Sequence, residues 1–274
     1  MDSFYSFGAS AQGMGHIKNN IPCQDAHAYK NFDNGWGILV VSDGAGSCEN
    51  SHIGSSFLVK SAIKNFTVLL EYYSKINSAD EERWKEDSIK TLELSKTELQ
   101  QYCEDNDLDY KSVGATLIVL LYSETKLYSV HIGDGRAAYR NSDNEWYSAI
   151  TPYSGEYVGE TVFFTSKIWD DTDKYIETKY FEGEFNAFTA ISDGAESFSW
   201  EYNIQDPESE EFKVLDTNKP FVAFFNPNIE VVEKFIAEGL NNEDINKKWL
   251  GYLSNGNERI EGEPDDRTVI ITFK

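Results

Sequence analysis

Three runs rich in β-forming residues, 115–122, 126–132 and 136–140, follow one another with only three residues between each pair. A parallel crossover needs a dozen residues or more, so connections this short admit only antiparallel neighbours. The pattern predicts a meander, with Asp134-Gly135 as the bend of its second hairpin. Residues 36–41 (Trp-Gly-Ile-Leu-Val-Val) read as a further buried strand, ended by Ser42-Asp43-Gly44-Ala45-Gly46-Ser47. Residues 185–192 and 267–273 add two more. Between 53 and 73, apolar residues recur at helical spacing (Ile53, Phe57, Leu58, Ala62, Phe66, Leu69, Leu70, Tyr73), which predicts an amphipathic helix. A more charged helix is expected over 80–103 and another over 229–240. Helices early and late with antiparallel strands between them favour an α+β layered fold. No Pro/Ser/Gly-rich linker divides the chain, so residues 1–274 read as a single domain. The irregular, Tyr- and Asp-rich stretch 151–180 reads as a flap or inserted loop beside the core.

Charge narrows the partners. The sequence has 24 Lys+Arg against 47 Asp+Glu, a net charge of -23, which repels phosphate backbones and anionic lipid. Nucleic acid and membrane surfaces are therefore not expected partners. The longest apolar stretch, 113–122, falls well short of the ~20 residues a bilayer requires. Met1-Asp2-Ser3-Phe4-Tyr5 has an acid and no basic n-region, so no secretory signal is read. Cys23, Cys48 and Cys103 lack paired metal-ligand spacing, consistent with reduced thiols in the cytoplasm.

Within that acidic background one pattern recurs: a hydrophobic strand, a small residue, then Asp-Gly. It occurs at Val41-Ser42-Asp43-Gly44, Ile132-Gly133-Asp134-Gly135 and Ile191-Ser192-Asp193-Gly194. Pro264-Asp265-Asp266 precedes the last strand, and Asp25 follows Pro22-Cys23-Gln24. A single Asp-Gly after a strand is an ordinary turn, because Asp bonds its own backbone and Gly accepts positive φ. Several of them at the ends of strands in one sheet would instead gather carboxylates at one edge. Such carboxylates repel unless a cation lies among them, and Mg²⁺ or Mn²⁺ suits oxygen ligands.

These residues resemble those of the metal-dependent Ser/Thr protein phosphatases, the PPM or type 2C family, and fall in the same order. The matching segments are Cys23-Gln24-Asp25-Ala26, Asp43-Gly44-Ala45-Gly46, Gly114-Ala115-Thr116, Gly133-Asp134-Gly135-Arg136, Ser192-Asp193-Gly194 and Asp265-Asp266-Arg267-Thr268. The likeness extends from about Gly8 to Phe273 and is greatest to a bacterial branch whose first motif ends Pro-Cys-Gln-Asp. It implies a four-layer α-β-β-α sandwich with two central antiparallel sheets and a binuclear centre of Mn²⁺ or Mg²⁺ at one end. By that resemblance Asp43 would bridge both ions and the Gly44 carbonyl would bind one of them. Asp193 and Asp265 would complete the other ion's ligands, and Asp25 would help hold the centre. Asp134, with Asp193, matches a position that holds a weaker third ion in relatives. Asp265 is preferred to Asp266 because it lies four residues ahead of Val269.

The activity implied is hydrolysis of phosphoserine and phosphothreonine in a protein substrate, by a water activated between two ions. A cognate Ser/Thr kinase is the implied counterpart. Three departures from the better-known eukaryotic pattern qualify the transfer. Gln24 stands where those relatives have Glu, Ala45 where some have a His, and no Arg precedes Asp25 at the phosphate-binding spacing. His16 or Lys18 would be the nearest cationic groups for the substrate phosphate. The same departures motivate an alternative, a catalytically weak pseudophosphatase that binds a phosphoprotein or kinase. A Ca²⁺-binding acidic module is less favoured, since no Asp-x-Asp-x-Asp-Gly loop occurs. His27 shares a strand face with Asp25 and reads as packing. His52 reads as a terminal or surface residue, and Cys23 as a core thiol.

Overall fold

The unbroken apolar runs of the sequence become strands covered on both faces. The computed structural model describes residues 3–76, 80–155, 161–201, 203–205, 212–214 and 216–274. In chain order these form β1 (Tyr5–Ala11), α1 (Met14–Asn19), β2 (Ala26–Asn31), β3 (Gly37–Ser42), α2 (Ser51–Ile76) and α3 (Glu81–Asp105). There follow β4 (Leu117–Tyr122), β5 (Lys126–Ile132), β6 (Arg136–Asn141), β7 (Trp146–Ser148), α4 (Thr172–Tyr175), β8 (Glu177–Glu182) and β9 (Phe185–Ile191). The last elements are α5 (Glu196–Ser199), β10 (Asn203–Gln205), β11 (Phe212–Val214), α6 (Val222–Ala237), α7 (Asn242–Asn255), α8 (Glu258–Glu261) and β12 (Arg267–Phe273).

Two five-stranded antiparallel sheets result, one in the order β2-β3-β4-β5-β8 and the other β1-β12-β9-β6-β7. Alternation along β4 shows why its sequence lacks polar residues. Leu117, Val119 and Leu121 pack with Leu58, Phe66 and Trp84 of α2 and α3. Ile118, Leu120 and Tyr122 face the other sheet, against Phe188, Ala190 and Ile270. On the far side, Val269, Ile271 and Phe273 of β12 pack with Phe224, Phe225 and Trp249 of α6 and α7. The layers are therefore α2/α3, sheet, sheet, α6/α7, as the resemblance implied. Each large side chain moved from water into these three cores contributes about 1.5–3 kcal/mol.

Three expectations need correction. The runs 126–132 and 136–140 are not a hairpin: β5 pairs with β4 and β8, whereas β6 pairs with β7 and β9 in the other sheet. The three-residue connection thus switches sheets. Gly133 makes this possible at φ +111, where a Cβ would also lie 2.5 Å from Thr116 Cγ2. The stretch 151–179 is not wholly an excursion, because Phe164, Ile168 and Ile176 are buried against α2 and α3 and Glu177 begins β8. Part of the expected flap, residues 156–160, lies outside the described residues, as does Asp206-Pro207-Glu208-Ser209-Glu210-Glu211, an acidic run whose sequence reads as a solvated loop. Finally, α6 starts at Val222, ahead of the expected 229, and carries Pro227 within it.

Candidate metal centre

Register brings the motif ends together. Val41 of β3 pairs with Ile118, Leu117 pairs with Ile132 at the end of β5, and Ile191 at the end of β9 pairs with Val269 near the start of β12. Asp43, Asp134, Asp193 and Asp265 lie within two residues of these strand ends, so all emerge on one side of the sandwich. The Asp43 main chain is clamped to Thr116. Its N–H donates to Thr116 Oγ1 at 3.0 Å, and its carbonyl accepts from Thr116 N at 2.7 Å. Gly44 N donates to the Gln24 carbonyl at 3.1 Å, tying the Asp25 loop to the Asp43 loop. Gly194 is required by close approach, since a Cβ there would lie 2.1 Å from the Asp266 carbonyl oxygen.

The carboxyls feel one another. Burial, then the charges of Asp25 and Asp193 and that of Asp265, push the Asp43 carboxyl well above its ordinary value. Burial pushes Asp25 up to about 7, against hydrogen bonds from Ser192 and Thr268 that favour its anion. Asp134 rises to about 7 through burial and the charge of Asp193. Burial and Asp193 raise Asp265 as well. Among the described residues, no lysine or arginine forms an ion pair with any of these five aspartates. Asp25 Oδ1 and Asp193 Oδ1 are buried without a hydrogen-bond partner among the described residues. Acceptor-only oxygens left bare in this way, beside like charges, fit a divalent cation and little else.

The two adjacent aspartates before β12 have different surroundings. Asp266 is buried and fully engaged: Oδ1 accepts from Gly13 N at 2.7 Å, and Oδ2 accepts from Gln24 N at 2.5 Å. Asp265 is more exposed and receives only its neighbour's N–H, at 2.8 Å on Oδ1. His16, on the short α1, places Nδ1 2.9 Å from Asp266 Oδ2. His16, Asp265 and Asp266 each present one potential ligand atom within 4.8 Å of the other two. Lys18, the other cationic candidate, is exposed. In the sequence only the doubled Asp hints at a part for Asp266. Two further expectations shift. Cys23 is half-buried rather than a core thiol, and burial with the charges of Asp25 and Asp266 raises its pKa far above the usual thiol range. His52, the second residue of α2, is terminal as expected but half-buried, not on the open surface.

A family profile described as Protein phosphatase 2C matches residues 12–246. The chain belongs to the protein phosphatase 2C family. Serine/threonine-protein phosphatase 3 of Escherichia coli (strain K12) is 26% identical over 270 residues, covering 97% of this chain and 96% of that protein. Among solved structures, the catalytic domain of the serine threonine protein phosphatase PstP with 2 manganese ions superposes with a TM-score of 0.58. It is 14% identical, with 98% of this chain and 97% of that one covered. Stp1 of Staphylococcus aureus gives a TM-score of 0.56 at 15% identity, with 99% and 95% covered. At these identities the superpositions establish a shared fold. Among the described residues, no helix of this 2C-family chain is long and apolar enough to cross a membrane.

Proposed function

We propose that this chain is a Mn²⁺- or Mg²⁺-dependent protein serine/threonine phosphatase whose whole length, 1–274, acts as one catalytic domain. The observation that carries the reading is the gathered set Asp25, Asp43, Asp193 and Asp265, from buried Asp25 to the more open Asp265, with no paired lysine or arginine among the described residues and with two bare oxygens. Asp43, the Gly44 carbonyl, Asp193 and Asp265 would hold two ions, with Asp25 completing the set and Asp134 joining Asp193 at a third. Of the two cationic candidates for the substrate phosphate, His16 is the better placed, because its ring stands among Asp265 and Asp266.

In-line transfer of a phosphoryl group to water is mainly a matter of positioning and charge. The chemistry that paired divalent cations supply when bound is a water made nucleophilic near neutral pH and an offset to charge on the phosphoryl oxygens. The chain's part is to keep its carboxylates fixed. The Thr116 clamp fixes Asp43, and close packing at Gly194 sets Asp193 against the 265–266 turn. Asp266 holds the 13–24 loop through the N–H groups of Gly13 and Gln24 and stands 2.9 Å from His16 Nδ1. No protein nucleophile is needed, and the raised Cys23 thiol is unsuited to be one. The substrate class is a phosphorylated protein, with a Ser/Thr kinase as the enzyme that loads it.

The test is hydrolysis of phosphoserine and phosphothreonine peptides by the full chain. Turnover is expected with Mn²⁺ and none in EDTA. Equal rates with and without EDTA, or no turnover with either ion, would overturn the reading.

A further inference from the structure

Asp25 is held asymmetrically. Ser192 Oγ and Thr268 Oγ1 each donate to its Oδ2 at 2.7 Å, while Oδ1 is buried with no hydrogen-bond partner. The two hydroxyls come from the opposite sheet: Ser192 follows β9 and Thr268 lies in β12, whereas Asp25 leads into β2. They are themselves fixed. Thr268 N donates to Ser192 Oγ at 2.9 Å, and Thr268 Oγ1 lies 2.6 Å from Ser10 Oγ, its direct partner in the β1–β12 register. Ser10 Oγ in turn lies 2.8 Å from His27 Nδ1. His27 stands two residues beyond Asp25, hence on the same face of the chain.

We propose that Ser192 and Thr268 are positioning residues, backed by Ser10 and His27, that grip Asp25 by one oxygen and leave the other free for a cation. A carboxylate in a metal centre must present one lone pair in a fixed direction, and hydrogen bonds to its second oxygen are the usual means. Here the means spans both sheets, so the separation of the sheets and the aim of Asp25 are set by the same contacts. It also gives a reason for a hydroxyl at 192, where any short residue would serve the turn, and at 268, inside strand β12. The inference rests on the metal-centre reading above.

The experiment is calorimetric titration of the full chain with Mn²⁺ alone, for the parent, Thr268→Val, Thr268→Ser and Ser192→Ala, with melting of each in EDTA. Thr268→Val and Ser192→Ala are expected to weaken Mn²⁺ binding by about 10–100-fold, the usual effect of losing an outer partner. Thr268→Ser, which keeps the hydroxyl, should bind as the parent does. A purely sheet-stitching role would lower the EDTA melting temperature and leave Mn²⁺ affinity unchanged. A folded Thr268→Val with parental affinity therefore overturns the inference while the metal reading stands. A parent chain that binds no Mn²⁺ overturns both. Should Thr268→Val fail to fold, Ser192→Ala decides the matter by the same comparison.

Discussion

Two acid groups lie side by side in this molecule and are treated in opposite ways. Three residues beyond Asp193, Glu196 meets the Arg136 guanidinium at 2.6 Å, and Asp216 meets the same side chain at 2.8 Å. Arg136 itself begins β6, two residues after Asp134, and is only 3% exposed. Burial pushes the Asp216 carboxyl up, but the hydrogen bond and charge of Arg136 outweigh it and hold the group below its ordinary value. At Asp25, Asp43, Asp134 and Asp265 the shifts run the other way. The fold therefore has the means to neutralise an acid at this end of the sheets, and uses it at 196 and 216 while withholding it a few residues away. Acids left uncompensated so near a buried ion pair are what the proposed cation site requires.

The strongest way to break the contrast is Asp43→Asn. Removing a ligand that the proposal places at the centre should lower kcat by more than about 100-fold, beyond the range for outer-shell partners. In EDTA the same variant should melt higher than the parent, because it relieves repulsion among buried carboxyls. Calorimetry and turnover on one preparation check both. Retained turnover would remove Asp43 from the centre.

Arg136→Met inverts the experiment. It leaves Glu196 and Asp216 without their guanidinium, and with those carboxylates partly exposed the loss costs about 1–3 kcal/mol. Denaturant unfolding in EDTA should register that loss, opposite in sign to the effect of Asp43→Asn. An unchanged midpoint would mean that the ion pairs are worth no more than exposed ones.

Most of the layering was legible because strands covered on both faces have nowhere to place a polar residue. The segment 117–122 and the final strand 267–273 announce themselves for that reason. The ordered Asp-Gly ends were legible too, since strand ends need turns and these turns repeat. Sheet membership was not. A three-residue link permits a hairpin or a step to a facing sheet, and only the positive φ of Gly133 and its fit against Thr116 decide between them. Edge strand β8 was obscured because Glu177–Glu182 is half-buried almost throughout and carries three charged side chains, so it resembles a polar loop. Asp266 is hard to see for an opposite reason. Its work is done through main-chain N–H groups of residues 13 and 24, and a sequence does not show which distant amides will need an acceptor.

The smallest effect expected is on the pH dependence of stability, and it separates the two acid groups without a mutation. Asp25 and Asp134 titrate at about 7 in the folded chain, against a value of 3.8 for an ordinary aspartate. Between those values the folded state binds more protons than the unfolded one, so stability falls as pH rises. Asp43 and Asp265, also raised, act in the same direction. His27 and His131, both lowered to about 4, oppose it, since the unfolded chain protonates them below about 6.5 and stability is lost as pH falls. Asp216 opposes it as well, but its lowered carboxyl delivers its stability above the ordinary carboxylate range, and that gain is complete by about pH 5.5. From about pH 6.5 to 7.5 the raised acids dominate, although the unfolded histidines, half protonated at about 6.5, still oppose them in part. In EDTA the melting temperature should therefore drop by a few degrees across that window, at roughly 2–4 °C per kcal/mol for a chain of this size. Saturating Mn²⁺ should abolish the drop, because ligation favours the ionised carboxylates that repulsion disfavours. A melting temperature that rises from pH 6.5 to 7.5 in EDTA would show that these acids are already compensated within the fold, which is the state of Glu196 and Asp216 and not of a metal centre.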